Sequence, residues 1–266
     1  MNRILVITLT FVLATAISAS AHHNWLTIVP PESCGDAALL VASFGHRLPL
    51  GDAPPNLEDF KELVLLTPEG EKRPVRRLMP LGIPSVSTFD VTTPGVWGAA
   101  SWREHYGCKT TEGYRRGRRA EVEAEGYKVL ECKHTFRYGK TYLPIGSKGG
   151  PGILHVGHTL EIVPDGPLAP MNLGDTQWVT VFFKGRPEAG IPVSGTCEGK
   201  SKELAHPEEK DKFLFSEVTD DAGRVPLLLS ESGLWFWITE KVFENPEPGV
   251  DKLYYSATLT LRVEPR

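Results

Sequence analysis

The sequence predicts an all-β protein: two β-sandwich domains that follow a cleaved signal peptide. Three observations support this. An apolar leader ends in small residues near Ala21, glycine (26) and proline (22) are frequent, and short apolar runs bounded by turn residues fill the rest of the chain. Such runs are typical of sandwiches and barrels. Because long amphipathic stretches with the helical period are rare, we expect few helices.

Residues 1–21 have the pattern of a secretory signal peptide. Arg3 supplies the positive charge, an apolar run extends from Ile4 to Ile17, and Ala19 and Ala21 form an A-x-A arrangement. A membrane anchor is the alternative, but spanning a bilayer takes roughly 20 apolar residues. We therefore expect cleavage after Ala21, export from the cytoplasm, and a mature chain that does not insert into the membrane.

The first sandwich domain is predicted over residues 22–150. A segment at Thr110–Tyr127 interrupts its strand pattern with four arginines followed by three glutamates. This segment is either a polyanion-binding surface or a solvated hairpin or loop whose charges compensate each other, and the mildly acidic mature chain favours the second. The same balance argues against a nucleic-acid partner. The predicted strands are Trp25–Val29, Ala37–Phe44, Glu62–Pro68, Val86–Thr92 and Val96–Trp102.

The second domain is predicted over residues 151–266, after a boundary in the glycine-rich stretch Gly146–Gly152. Its seven apolar runs match the strand count of an immunoglobulin-like sandwich. One run contains the aromatic stretch Leu234–Trp237, which we interpret as core rather than as a ligand platform. The seven runs are His158–Pro164, Thr176–Gly185, Ile191–Cys197, Phe213–Thr219, Arg224–Leu229, Gly233–Val242 and Leu253–Val263.

Four cysteines, Cys34, Cys108, Cys132 and Cys197, would enter an oxidising compartment after export. Four cysteines allow three pairings, and the sequence does not choose among them. We favour a disulfide between Cys108 and Cys132 because these residues flank the charged segment. The alternative is a set of buried free thiols.

The histidines near the predicted cleavage point suggest a metal site. If cleavage follows Ala21, His22 becomes the first residue and offers both its α-amine and its imidazole, which titrate near neutral pH. One further imidazole then completes a three-nitrogen set of the kind that copper or nickel accepts. His23 offers a second mode through the amine, a deprotonated amide and its own ring. The predicted partners are His46 and His158, although an isolated histidine is more often simply hydrogen bonded.

No motif of a known enzyme class occurs in the chain. G-x-S-x-G, Walker and H-E-x-x-H patterns are absent, and no two cysteines are close enough in sequence to suggest a zinc site. We therefore expect a protein that is not an enzyme.

Several phrases together resemble a family of bacterial periplasmic proteins of unknown function, often described as the periplasmic component of cobalt or nickel ABC transport systems. They are "HHNWL" after the leader, "FGHRLPLGD", "VGHTLEIVP", "LGDTQWVTVFFKGRPEAGIPV" and "TDDAGRVPLLLSESGLWFW". The resemblance implies a periplasmic all-β protein whose second sandwich is of the prealbumin-like or carboxypeptidase-regulatory type. It also implies an inner-membrane metal transporter as partner and His22, His46 and His158 as matching residues. His23 and the arginine-rich segment depart from the usual pattern.

Three functions follow as hypotheses. The first, which we expect, is a periplasmic accessory protein that binds nickel, cobalt or copper through the mature N-terminal histidine. The second is a copper-dependent oxidative enzyme using the same histidine. The third is a non-catalytic adhesion or scaffold protein in which the histidines are incidental.

Overall fold

A computed structural model describes residues 22–33, 35–146, 152–200 and 203–266. The predicted signal peptide, Cys34 and most of the predicted domain boundary lie outside these residues. The described chain is almost entirely β, which confirms the predicted fold class. One short helix, α1, spans Arg119–Ala124, and two 3-10 turns lie at Leu57–Asp59 and Lys210–Lys212.

The strands are β1 (His23–Val29), β2 (Ala37–Gly45), β3 (Phe60–Leu66), β4 (Lys72–Pro74), β5 (Met79–Pro80), β6 (Ser85–Asp90), β7 (Gly95–Thr110), β8 (Gly113–Arg116), β9 (Val129–Ile145), β10 (Leu160–Pro164), β11 (Met171–Asn172), β12 (Thr176–Phe183), β13 (Arg186–Pro187), β14 (Pro192–Cys197), β15 (Phe215–Val218), β16 (Arg224–Leu228), β17 (Gly233–Glu247) and β18 (Val250–Glu264).

These strands form three sheets. Sheet A has the order β1-β2-β6-β5, and sheet C has the order β10-β12-β13, with β16 also paired to β12. Sheet B is the largest and runs β15-β14-β17-β18-β9-β7-β3-β4, with β8 added to β7 and β11 to β18.

Sheet B is the middle layer because its strands bury both faces. In β7, Val96 and Ala100 belong to a core shared with sheet C, whereas Trp97 and Ala99 belong to a core shared with sheet A. Successive strand residues point to opposite faces, so sheets A and C cover opposite sides of sheet B. The aromatic stretch Leu234–Trp237 in β17 is at most 2% exposed, which confirms its interpretation as core.

The two sandwiches therefore share one sheet. β9 pairs with β7 in antiparallel fashion and with β18 in parallel fashion, so strands from both sides of the predicted boundary are hydrogen-bonded neighbours. The division into domains 22–150 and 151–266 stays a prediction. No apolar run marks β9 in the sequence, because polar and charged residues recur along it.

The charged segment forms a hairpin of β7 with β8, followed by α1. Arg119 pairs with Glu123 at 3.5 Å and with Asp251 at 2.5 Å, and Arg116 pairs with Asp59. Two of the four arginines in this segment therefore form ion pairs. Their acidic partners lie both within the segment and elsewhere in the chain.

The disulfide between Cys108 and Cys132 is confirmed. The two residues are directly opposite each other on β7 and β9, with their Cα atoms 4.0 Å apart. Both are buried and pack with Val122 of α1, so the disulfide fixes the base of the charged segment. Cys197 is a buried free thiol.

Within the described ranges, no helix is long and apolar enough to cross a membrane.

The core between sheets A and B can be tested with two leucines. Leu40 is fully buried, whereas Leu81 is 60% exposed. We expect Leu40→Ala to lower the free energy of unfolding by about 2–5 kcal/mol, since a buried leucine loses both its transfer energy and its packing. Leu81→Ala should change it by less than about 0.5 kcal/mol. Urea unfolding of both variants provides the measurement, and equal losses would contradict the assignment of the core.

Removing the disulfide should also destabilise the protein. The double variant Cys108→Ser and Cys132→Ser releases a loop whose ends are 24 residues apart, which adds conformational freedom to the unfolded chain. We expect a loss of about 2–4 kcal/mol in the free energy of unfolding. An unfolding midpoint unchanged from that of the oxidised parent would show that the bond contributes nothing.

Candidate functional site

Two of the predicted metal ligands, His22 and His46, lie side by side. β1 and β2 pair in antiparallel fashion with His23 opposite Gly45, so the residue before β1 meets the residue after β2. The ring centroids of His22 and His46 are 4.2 Å apart. The His22 ring also stacks on Phe44 at 5.1 Å, and His22 is exposed to solvent.

Asp52 orients the His46 ring. One carboxylate oxygen accepts the backbone N–H of His46 at 3.0 Å, and the other lies 3.2 Å from its Nδ1. His46 is 9% exposed, and its Nε2 is buried without a hydrogen-bond partner among the described residues. A carboxylate on one ring nitrogen is the arrangement that fixes the tautomer of metal-binding histidines. Nε2 is then the nitrogen with the free lone pair.

Two glycines in the "FGHRLPLGD" phrase make this arrangement possible. Gly45 has φ +126°, and a Cβ there would lie 1.7 Å from Asp52 Oδ1. Gly51 has φ +84°, and a Cβ there would lie 2.2 Å from the carbonyl oxygen of Phe44. Only glycine tolerates both the backbone angle and the close approach. Trp25 Nε1 further anchors the loop by donating to the Pro49 carbonyl at 3.0 Å.

Two groups of this site, His22 and Asp52, have shifted pKa values. Partial burial and the neighbouring His46 lower the pKa of His22, so its imidazole is neutral at neutral pH. Burial acts to raise the pKa of Asp52, but its hydrogen bonds with His46 lower that pKa overall. A neutral imidazole thus faces a histidine that is held by a charged carboxylate.

His23 does not join the pair. Its side chain is 1% exposed, its Nε2 lies 3.1 Å from the Ala205 carbonyl oxygen, and its Nδ1 lies 3.9 Å from Glu240. Burial, followed by the charge of Arg137, holds the pKa of His23 well below its usual value. The binding mode that uses the His23 ring would require this side chain to leave the interior.

His158 lies on the other face of sheet B. It is 7% exposed and packs 4.9 Å from the ring of Tyr138, which belongs to the core shared with sheet C. Burial lowers its pKa to about 3. His22 and His46 are on the side of sheet A, so the structure does not bring His158 to them.

A family comparison adds to this geometry. The family described as Domain of unknown function (DUF4198) matches residues 19–240. The chain belongs to this family. The matched DUF4198 range contains His22, His46 and Asp52, and it ends inside β17 at Glu240. No curated protein matches the chain at a significant level.

Asp52 and the segment 204–206, both within the DUF4198 range, belong to the site but were not among the residues predicted from the sequence. The signal for Asp52 is its place in one short phrase with His46, between two glycines. The segment 204–206 lies far from His23 and His46 in sequence. Nevertheless the Leu204 N–H donates to the His46 carbonyl at 2.6 Å, and the Ala205 carbonyl contacts the His23 ring. These contacts join residues that are distant in sequence, so no local sequence pattern predicts that the segment 204–206 lies at the site.

His206 holds this segment in place through Glu240. Its Nδ1 lies 2.9 Å from one Glu240 oxygen, and the hydroxyl of Tyr254 donates to the other. The hydrogen bond to Glu240 raises the pKa of His206, and the glutamate charge raises it further. Glu240 itself is nearly buried, with a side chain that is 8% exposed.

His206→Ala should therefore destabilise the protein in a pH-dependent way. Because the folded pKa of His206 is raised, its contribution is fully present below the unfolded pKa of about 6.5 and is lost as the pH rises through the folded value. We expect a loss of about 0.5 kcal/mol at pH 6, where the partly exposed pair is charged, and a smaller loss at pH 8.5.

Denaturant unfolding of the parent and of His206→Ala between pH 5.5 and 8.5 gives this difference. Glu240→Gln should remove the same pH-dependent part. A difference that grows with rising pH would contradict the pairing.

Proposed function

We propose that this protein binds a transition metal ion, nickel, cobalt or copper, in the periplasm and serves a metal-uptake system of the inner membrane. The observation that supports this proposal is the His22–His46 pair. The two rings are in contact, Asp52 holds one nitrogen of His46, and the other nitrogen is buried with no partner among the described residues.

The donor set suits these metals. Cleavage after Ala21 would give His22 a free α-amine, so His22 would supply two nitrogens and His46 Nε2 a third. Imidazole and amine nitrogens are ligands that copper and nickel accept readily, and affinity in the divalent series is highest near those ions. Residues that would hold the ion are therefore His22 and His46, with Asp52 orienting His46. Among the described residues no group of three or more His, Cys, Asp or Glu side chains forms a site by itself, so the proposal depends on the α-amine.

The position of the pair also suits transfer of an ion. His46 is nearly buried, whereas His22 is exposed, so one ligand is fixed and the other is accessible from solvent. A partner protein can reach an ion bound there without unfolding the sandwich. A transporter partner and the periplasmic location rest on the leader pattern and on the resemblance to metal-transport components.

The test is metal titration of the mature chain. We expect protein beginning at His22 to bind about one Ni²⁺ or Cu²⁺ ion, and a form with one alanine ahead of His22 to bind at least about tenfold more weakly, because the α-amine is displaced from the ring. His46→Ala should weaken binding at least as strongly. Asp52→Asn should cost about 10–100-fold in affinity, as expected for the partner of a ligating histidine.

His155→Ala is the matched control, since His155 is exposed and lies with the His158 segment. Its affinity should equal that of the parent. Isothermal titration calorimetry gives the affinities, and mass spectrometry of exported protein gives the terminus. Equal affinities for the extended and native forms would overturn the proposal.

A further inference from the structure

Beside the His22–His46 pair lies a guanidinium group that has no acidic partner among the described residues. Arg137 Nε donates to the carbonyl oxygen of His22 at 3.1 Å. Its Nη1 donates toward the ring of His105, whose nitrogens lie 3.3 and 3.4 Å away. The His22 carbonyl carries no net charge, and burial lowers the pKa of His105 to about 3. Both neighbours of Arg137 are therefore uncharged acceptors.

A second arginine increases the excess of positive charge. Arg103 of β7 is directly opposite Arg137 of β9. It is 3% exposed, and only its Nη2 pairs with an acid, Asp59, at 2.9 Å. Its Nε and Nη1 are buried and have no hydrogen-bond partner in the part of the chain that the structure describes, and its guanidinium carbon lies 4.7 and 5.1 Å from the ring centroids of Phe44 and Phe60. Asp59 is shared with Arg116, so one carboxylate serves two guanidinium groups there and none is left for Arg137.

The other nearby acid is already engaged. Glu240 accepts hydrogen bonds from His206 and from Tyr254, one on each oxygen. Like charges opposite each other in a β-ladder are destabilising, and a buried cation without a counterion is costly. The surroundings of Arg137 therefore favour an added anion, and its Nη2 has no protein partner among the described residues with which that anion would compete.

We propose that Arg137 binds an oxyanion, a carboxylate or a phosphate, next to His22. Guanidinium groups match both oxyanions through paired N–H donors. Because Arg137 holds the carbonyl of His22, the anion would lie within reach of an ion on the His22–His46 pair and would supply it with an oxygen ligand. The metal would then be taken together with an anionic co-ligand. That last step rests on the proposed function, whereas anion binding by Arg137 does not.

The test uses the metal-free mature protein. Thermal unfolding is followed with increasing sodium phosphate or sodium malonate, against sodium chloride at equal ionic strength. We expect both oxyanions to raise the Tm progressively beyond the effect of chloride, since a ligand that binds the folded state alone stabilises it. Phosphate and malonate in separate series distinguish the two oxyanion classes. Arg137→Gln should lose the response, whereas Arg73→Gln, which alters an exposed arginine paired with Glu71, should keep it.

Arg137→Lys covers the outcome in which Arg137→Gln does not fold. It keeps the charge but loses the planar fork, so we expect its dissociation constant for the better oxyanion to rise at least about threefold. An equal response in the parent and the Arg137 variants, or no response beyond chloride in the parent, would overturn the proposal.

His46→Ala separates this proposal from the metal site. It should lose Ni²⁺ binding and keep the oxyanion response. An oxyanion response in a parent protein that binds no metal would support the anion site while refuting the proposed function. Metal binding without any oxyanion response would do the reverse.

Discussion

The burial of β1 determines where the candidate site lies. Trp25 and Leu26 are adjacent and almost completely buried, so both faces of this strand are covered at that point. Leu26 packs in the core between sheets A and B, while Trp25 packs against Phe236 of β17. Thr258 and Thr260 of β18 donate to the carbonyl oxygens of Asn24 and Leu26. Because β1 is held by contacts on both sides, the position of His22, the residue directly before it, is also fixed.

The site inherits its rigidity from this strand. The Trp25 indole of β1 donates a hydrogen bond to the loop after β2, and Asp52 at the end of that loop contacts the ring of His46. The segment 204–206 comes from the other half of the chain and closes over His23. Because each of these contacts ends on β1 or on the loop beside it, the proposed ligands occupy a defined position although one of them, His22, lies at the predicted mature terminus.

Sheet B also brings positively charged side chains close to His22. Its strands β7 and β9 carry Arg103, His105 and Arg137 on the face that sheet A covers, and Arg137 contacts the residue before β1. Polar residues on a sheet face need partners when that face is half-buried. Here Asp59 and the carbonyl of His22 provide some of them, and the remaining guanidinium donors are the basis of the proposed oxyanion site.

The all-β class, most of the strands, the favoured disulfide between Cys108 and Cys132, and the candidates His22 and His46 could all be predicted from the sequence. Strand runs and turn residues are local patterns, so they can be read from neighbouring residues. Strand β9 was not predicted, because polar and charged residues recur along it and interrupt the alternation of apolar residues that marks a strand. The folded arrangement was needed to see that His46 contacts His22 and that the rings of His23 and His158 do not join them. It was also needed to see that Asp52, Arg137 and Glu240 lie nearby. These contacts depend on strand register and on which face of sheet B each strand covers, and a shift of one residue would place every side chain on the opposite face.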